Sequence, residues 1–374
     1  MDETYFGKEV PKLGFGLMRL PKKGFLPDVK KTSQMVDRFL EAGFKYFDTA
    51  YVYPGSESAT RKALVKRHTR DSYLLATKLY APFVAPTEKM AKKELETSLR
   101  RTGAEYFDFY LLHSLMASNV GKYERFHLWD FVAEQKKKGT IRYAGFSYHS
   151  GPELLDRLLT EHPEVDFVQL QINYEDWENP RIASRANYEV ARKHGKSIVV
   201  MEPIKGGRLA MPPKKVRELL QSYDPEASPA SWAIRFAASL DGIITVLSGM
   251  STLGQVEDNI SFMKDFRPLS EEEQDILRQA RELLGSTGEI ACTACRYCMK
   301  GCPKNIPIPE IFEAANRQLG SGQLESAKQA YARATRRKGK ASDCIRCRQC
   351  EEACPQHLPV TELLEQCSEM LEKK

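Results

Sequence analysis

Short apolar, β-branched runs recur through the first 250 residues, and each is followed by a stretch whose apolar positions repeat with helical spacing. In order they are LGFGLMRL (13–20), KYFDTA (45–50), YLLATK (73–78), FDFYLLH (107–113), YAGFS (143–147), FVQLQIN (167–173), SIVVMEP (197–203) and IITVLSG (243–249). Between them lie helix candidates: KKTSQMVDRFLEAG stopped by Gly43, PTEKMAKKELETSLRRTG stopped by Gly103, KYERFHLWDFVAEQKKKG stopped by Gly139, then GPELLDRLLTEH and RIASRANYEVARKHG. Eight strands alternating with helices predict an α/β fold with a parallel sheet, and the number fits closure into a (β/α)8 TIM barrel. A capped helix, SEEEQDILRQARELLG with Ser270 as N-cap and acids in its first turn, then leads into a different kind of sequence. The boundary is placed near 265–290, giving domains at 1–268 and 269–374.

Closure as a barrel makes the strand ends informative, because such barrels carry their sites at the C-terminal ends of the strands. Those ends are polar: Asp48, Lys78, His113, Ser147, Gln171 with Asn173, and Glu202. A charged or amide residue at the end of nearly every apolar run is hard to explain by packing, although some strand ends are polar by chance.

Composition narrows the class. With 374 residues and 42% hydrophobic content the chain can bury a full core, which excludes a disordered or fibrous protein. It has no apolar run of roughly eighteen residues and no secretory signal pattern at MDETYFGKEV, so a cytoplasmic protein with no membrane association is expected. The net charge of +6 is carried by residues 321–350, where eight cations (Lys328, Arg333, Arg336, Arg337, Lys338, Lys340, Arg346, Arg348) face Glu325 and Asp343. Such a run is usually a solvated face, and the other reading is a docking site at 328–348 for an acidic redox partner. Tyr331 is its one interleaved aromatic, which argues against nucleic acid.

The stretch FDTAYVYPGSE adds Tyr53 five residues beyond Asp48; with ATK at 76–78 and LLH at 111–113 it resembles the aldo-keto reductases over roughly residues 10–262. The resemblance implies a catalytic set of Asp48, Tyr53, Lys78 and His113, and NADP(H) or NAD(H) as hydride source for a small-molecule carbonyl substrate. The chemistry is coherent, since a phenol with an ordinary pKa near ~10 is a slow acid until an adjacent ammonium stabilises its phenolate. The same resemblance places Ser147 and Gln171 on the nicotinamide carboxamide and Met201 where relatives stack an aromatic on the ring. It places Lys205, Gly206 and Gly207 over the pyrophosphate, and Gly249, Ser251, Gln255, Asp258 and Asn259 at the adenosine end. Gly249, Met250 and Gln255 replace the family's best-known lysine-serine and arginine pattern, which weakens the case for a 2′-phosphate partner.

All nine cysteines fall between Cys292 and Cys367, and eight form two copies of C-x2-C-x2-C-x3-C-P. That is the spacing of ferredoxins with two [4Fe–4S] clusters, in which the remote fourth cysteine serves the other cluster. It assigns Cys292, Cys295, Cys298 and Cys354 to one cluster and Cys344, Cys347, Cys350 and Cys302 to the other. Zinc is the rival ligand; the leftover Cys367 reads as a core residue. The interval between the motifs holds IPEIFEAANRQL, so the C-terminal part is expected to be a small α-helical, ferredoxin-like domain. A hydride carries two electrons and a cubane passes one, so direct traffic between them would need a flavin, for which the sequence has no signature. Three roles stay open: structural or sensory clusters, delivery to a partner or a flavin, and direct reduction of a barrel-bound substrate. The expected function is a carbonyl reductase fused to an iron–sulfur electron-transfer module. The alternative is an electron-transfer or redox-sensing subunit whose barrel binds nucleotide only as a ligand.

Overall fold

The computed structural model describes residues 4–373 apart from 6, 7 and 287. Eight parallel strands close a barrel in chain order: β1 Leu13–Gly16, β2 Tyr46–Asp48, β3 Leu74–Leu79, β4 Phe107–Leu115, β5 Ile141–Tyr148, β6 Phe167–Gln171, β7 Ser197–Met201 and β8 Ile243–Ser248. Each of the eight apolar runs supplies one strand. The first strand is shorter than its run, because the chain turns into a 3-10 helix at Leu17–Arg19.

The two-residue period of each strand decides what the barrel encloses. Tyr46, Leu74, Ala76, Phe109, Leu111, Phe167 and Val199 form a single packed cluster. Continuing by twos along the same faces gives Asp48 on β2, Lys78 on β3, His113 on β4 and Gln171 on β6. The barrel is therefore plugged by apolar side chains at the start of its strands and polar at their C-terminal end.

Helices α1 Val29–Glu41, α2 Glu88–Thr102, α3 Leu128–Lys137, α4 Pro152–Glu161 and α5 Ser184–Lys193 connect these strands. Asp28 caps α1 by accepting from the Lys31 N–H, Thr87 caps α2 by accepting from the Met90 N–H, and Gly103 ends α2 with φ 69°. The helix expected over 122–138 is broken, since His127 takes a left-handed φ of 49° and α3 starts only after it.

The chain forms two compact units. One comprises residues up to Pro203 with Ala230–Glu271, and includes α7 Pro229–Ala238 (from Ala230) and α8 Leu253–Met263. The other combines Ile204–Pro229, carrying α6 Lys214–Tyr223, with Glu272–Lys374. A segment that sequence order assigns to the barrel is thus compact with the C-terminal unit. Within that unit, α9 Glu271–Gly285, α10 Ile308–Ser321, α11 Leu324–Thr335 and α12 Val360–Leu371 supply the helices. Ile306, Ile311, Phe312, Ala315, Leu364 and Cys367 are central to its core, and Cys292, Cys298, Cys302 and Cys344 pack on the edge of it.

Candidate functional site

Four side chains meet at the C-terminal end of the barrel. Asp48 is the last residue of β2, Lys78 lies one residue before the end of β3, and His113 sits near the end of β4; each is at most 3% exposed. Lys78 Nζ donates to Asp48 and, at 2.8 Å, to the Thr49 carbonyl. The same ammonium lies 5.2 Å from the centroid of the Tyr53 ring, and the Tyr53 and His113 rings meet edge-on at 5.7 Å and 82°. Tyr53 is held by a turn in which its N–H donates to Ala50 O (3.1 Å) and its carbonyl accepts from Ser56 N–H (3.1 Å). Gly55 completes the turn with φ 74°; a Cβ there would lie 2.8 Å from Pro27 Cδ.

Burial dominates the electrostatics. It pushes the Asp48 carboxyl up and the Lys78 amine down, and their mutual attraction opposes both shifts. Burial, then Lys78 and His149, drive the His113 imidazole well below its ordinary range, so it is neutral at neutral pH and offers a hydrogen bond without bringing a charge. His113 also owes its place to an irregularity: pairing with β5 runs Leu112 to Phe146 and resumes at Leu115 to Tyr148, leaving one extra residue on β4. Ser114 in this bulge has φ 59°, its N–H donates to Ser147 Oγ (2.7 Å), and the Tyr123 hydroxyl donates to the His113 carbonyl. Bulges of this kind re-aim a side chain beside a site.

The nucleotide candidates divide. Ser147 is fully buried and accepts from Ser114, which leaves its own hydroxyl proton to donate. Gln171 donates Nε2–H to Asp176 Oδ2 at 2.8 Å, so its amide is fixed with Oε1 as the acceptor. Asp176 also accepts from Asn173 Nδ2 (2.8 Å), and Asn173 donates to the Glu202 carbonyl (3.2 Å). Asp176 was not singled out in the sequence, where it is one more acid in NYED; its three-residue spacing from Asn173, whose Oδ1 accepts its N–H, was the available signal. Met201 ends β7 beside Gln171.

Among the residues expected at the adenosine end, Ser251 Oγ donates to the Arg19 carbonyl (2.5 Å) and Gln255 Oε1 accepts from Ser251 N–H (2.7 Å) at the start of α8. Gly249 lies against the Arg19 side chain, and Asn259 is buried on Ser248 Oγ (2.6 Å). Gln255 therefore holds its own turn and Asn259 ties α8 to the end of β8, and Asp258 shares that helix. Lys205, Gly206 and Gly207 belong to the second unit, where the main chain of Gly206 (φ 68°) presses on Thr293 and Arg208 pairs with Glu289.

The cysteines of both motifs lie in that unit. Cys302, Cys344, Cys347 and Cys350 line one small cavity of about 20 Å3, completed by apolar side chains including Ile306 and Leu364. Burial, then the thiols of Cys295, Cys292, Cys354 and Cys350, push the Cys298 thiol well above its ordinary range. Among the described residues no group of three or more His, Cys, Asp or Glu side chains is arranged to hold a single metal ion. Four thiols at one cavity with no histidine among them are the ligand set of an iron–sulfur cluster. Cys367 is 1% exposed in the helical core, and burial alone pushes its thiol up to about 12.

Comparison with known proteins agrees with both halves. Residues 12–282 match the model of the aldo/keto reductase family, and residues 291–358 match a 4Fe-4S dicluster domain. The chain is 25% identical over 274 residues, 72% of its length and 89% of the relative's, to methylglyoxal reductase DkgA of Yersinia pestis. It superposes on the holo form of aldo-keto reductase AKR11C1 from Bacillus halodurans with a TM-score of 0.59 at 25% identity, covering 73% of this chain and 93% of that one. It shares its fold with an aldo/keto reductase of Klebsiella pneumoniae in complex with NADP and acetate, at a TM-score of 0.60 and 20% identity over 74% and 93% of the two chains. No described helix is long and apolar enough to cross a membrane. The chain belongs to the aldo/keto reductase family of oxidoreductases and carries a 4Fe-4S dicluster domain beyond its barrel.

Proposed function

We propose that the barrel reduces a small carbonyl compound to an alcohol, with Tyr53 as proton donor. The observation that carries this reading is the buried Lys78 ammonium, paired to Asp48 and set 5.2 Å from the Tyr53 ring. A bound NADPH or NADH would supply the hydride, and the family inclines the choice to NADP(H). Lys78 lowers the energy of the Tyr53 phenolate, so the phenol gives its proton more readily to an oxygen gaining negative charge. Neutral His113 orients the carbonyl oxygen by a hydrogen bond. Ser147 and Gln171 hold the carboxamide, one offering a donor and the other an acceptor. In the second unit, Cys292, Cys295, Cys298 and Cys354 would hold one [4Fe–4S] cluster and Cys344, Cys347, Cys350 and Cys302 the other, supplying one-electron chemistry.

Mixing the anaerobically purified protein with NADPH or NADH and a panel of aldehydes should show nucleotide oxidation. Tyr53→Phe should lower kcat by at least about 100-fold, the scale of losing a positioned acid. An undiminished rate would discard the assignment.

The electron-transfer reading has its own support. Cys347, between Arg346 and Arg348, is exposed, and Ile345 two residues before it is 57% exposed, as suits contact with an acidic redox partner. Bleaching of cluster absorbance by reduced nucleotide, without carbonyl turnover, would favour it.

A further inference from the structure

A cavity of about 300 Å3 lies on the outer side of the barrel wall, under α3. Phe109 and Leu111 point into the barrel, so the alternation of β4 turns Leu112 outward, where it forms a floor with Ala144 of β5. Trp129, Val132 and Ala133 of α3 cover it, and Val165, just before β6, closes one end. The space is left by small side chains: α3 offers Ala133 and β5 offers Ala144, where helix and strand would ordinarily interlock. It is also held open. Lys136 of α3 donates from Nζ to both Asp166 oxygens at 2.6 Å, and Asp166 Oδ2 accepts from the Ala144 N–H at 2.8 Å, which fixes the spacing of the walls. Trp129 is braced against swinging into the gap, because its ring stacks on His162 at 4.0 Å and meets Phe146 edge-on at 5.6 Å.

We propose that this cavity is a second ligand site, for a small, uncharged, largely apolar molecule the size of a fused two-ring aromatic. Its volume stands at the lower end of ordinary small-molecule pockets, about 300–1,000 Å3, and is roughly twice that of an engineered apolar cavity that takes up benzene. The interior is lined mostly by carbon, so a water inside lacks the roughly two to four polar partners it needs, and an apolar occupant displaces it at little loss. The charges sit at the edge and are already satisfied: Lys136 by Asp166, Glu164 by His162 Nδ1 at 3.3 Å, and the exposed Lys137 by water. A charged ligand would find no waiting partner there and would lose its hydration. The occupant would lie against Leu112, the residue before His113 but on the opposite face of β4. The site is therefore separate from the carbonyl pocket, and the proposal does not depend on the reading of Tyr53 as proton donor.

The test uses the full-length, cluster-loaded protein and fluorine NMR of fluoronaphthalene, a readout that needs no turnover. The wild type should bind this probe saturably with Kd below about 1 mM, and the anionic fluoronaphthoate at least about tenfold more weakly. Ala133→Phe and Val165→Phe fill the space from different walls, so that one serves should the other fold poorly, and circular dichroism shows which of them fold. Each folded filling variant should weaken fluoronaphthalene binding at least about tenfold. Ala133→Ser, which keeps the space, should bind as the wild type does. Absence of saturation in the wild type would overturn the proposal. So would binding that the folded filling variants leave unchanged, since the probe would then sit at the barrel mouth or on an adventitious surface. Equal affinity for the naphthoate would overturn the choice of an uncharged ligand.

Discussion

The barrel and the C-terminal unit close their folds by different means. The barrel closes on itself: every strand has two hydrogen-bonded neighbours, and large rings such as Tyr46, Phe109 and Phe167 plug one end so that polar groups can gather at the other. The C-terminal unit has no such circuit. Its core is held by helix-borne side chains such as Ile308, Ile311, Phe312, Leu364 and Leu371, and its cysteine loops lie along the rim. In a small unit of that kind, metal–thiolate bonds would add to the folding energy. The difference teaches that one half is specified by periodicity and the other by ligand spacing.

Experiments can break that contrast. The largest effect should come from the cysteines. Cys302→Ala should remove the same cluster as Cys347→Ala, and Cys354→Ala the same cluster as Cys295→Ala, with iron falling from about eight to about four per chain. If Cys302→Ala matched Cys298→Ala instead, the crossed ligation would be wrong. Next come two rings that are each 1% exposed, Phe109 and Phe312. Replacing either by Ala should remove about 3–5 kcal/mol. In the barrel the loss should appear as a lower denaturation midpoint; in the C-terminal unit it should appear as faster iron release, because metal binding and folding are one equilibrium there. Identical unfolding of both variants would mean that the halves melt together.

The smallest effect concerns pH. Glu94, 3% exposed, accepts from the Tyr80 N–H (2.8 Å), and burial raises its pKa to about 8, with Glu57 adding and Arg101 and Lys122 opposing. Between about pH 4.5 and pH 8 the folded barrel holds a proton that the unfolded chain has released, so stability should decline as pH rises across that window. Urea midpoints of Glu94→Gln should be flatter with pH than those of the wild type, while iron retention keeps its wild-type dependence.

Much of this was legible beforehand, for physical reasons. Apolar runs ending in a polar residue mark barrel strands because closure buries both faces, and the glycine stops at Gly43, Gly103 and Gly139 all take positive φ. Asp48, Lys78 and His113 stood out as polar ends of apolar runs, and Tyr53 was added by the resemblance to the aldo-keto reductases. What stayed hidden depends on non-local geometry. The bulge at Ser114 leaves no mark in FDFYLLHSL, since the extra residue is defined only against β5. Gln169 reads as an alternating polar residue until Asp48 is seen across the barrel. Gln255 and Asn259, expected at the adenosine end, also bond to Ser251 and Ser248 of the preceding chain, a use that a family resemblance passes over.

The excursion at Ile204–Pro229 bears on how such a protein can be taken apart. Ending the chain at residue 268 would strand Arg208 without Glu289 and strip Gly206 of its seat on Thr293. The reductase and the iron carrier are therefore not interchangeable cassettes joined at one seam. A grafted or trimmed version must carry both crossings of the chain.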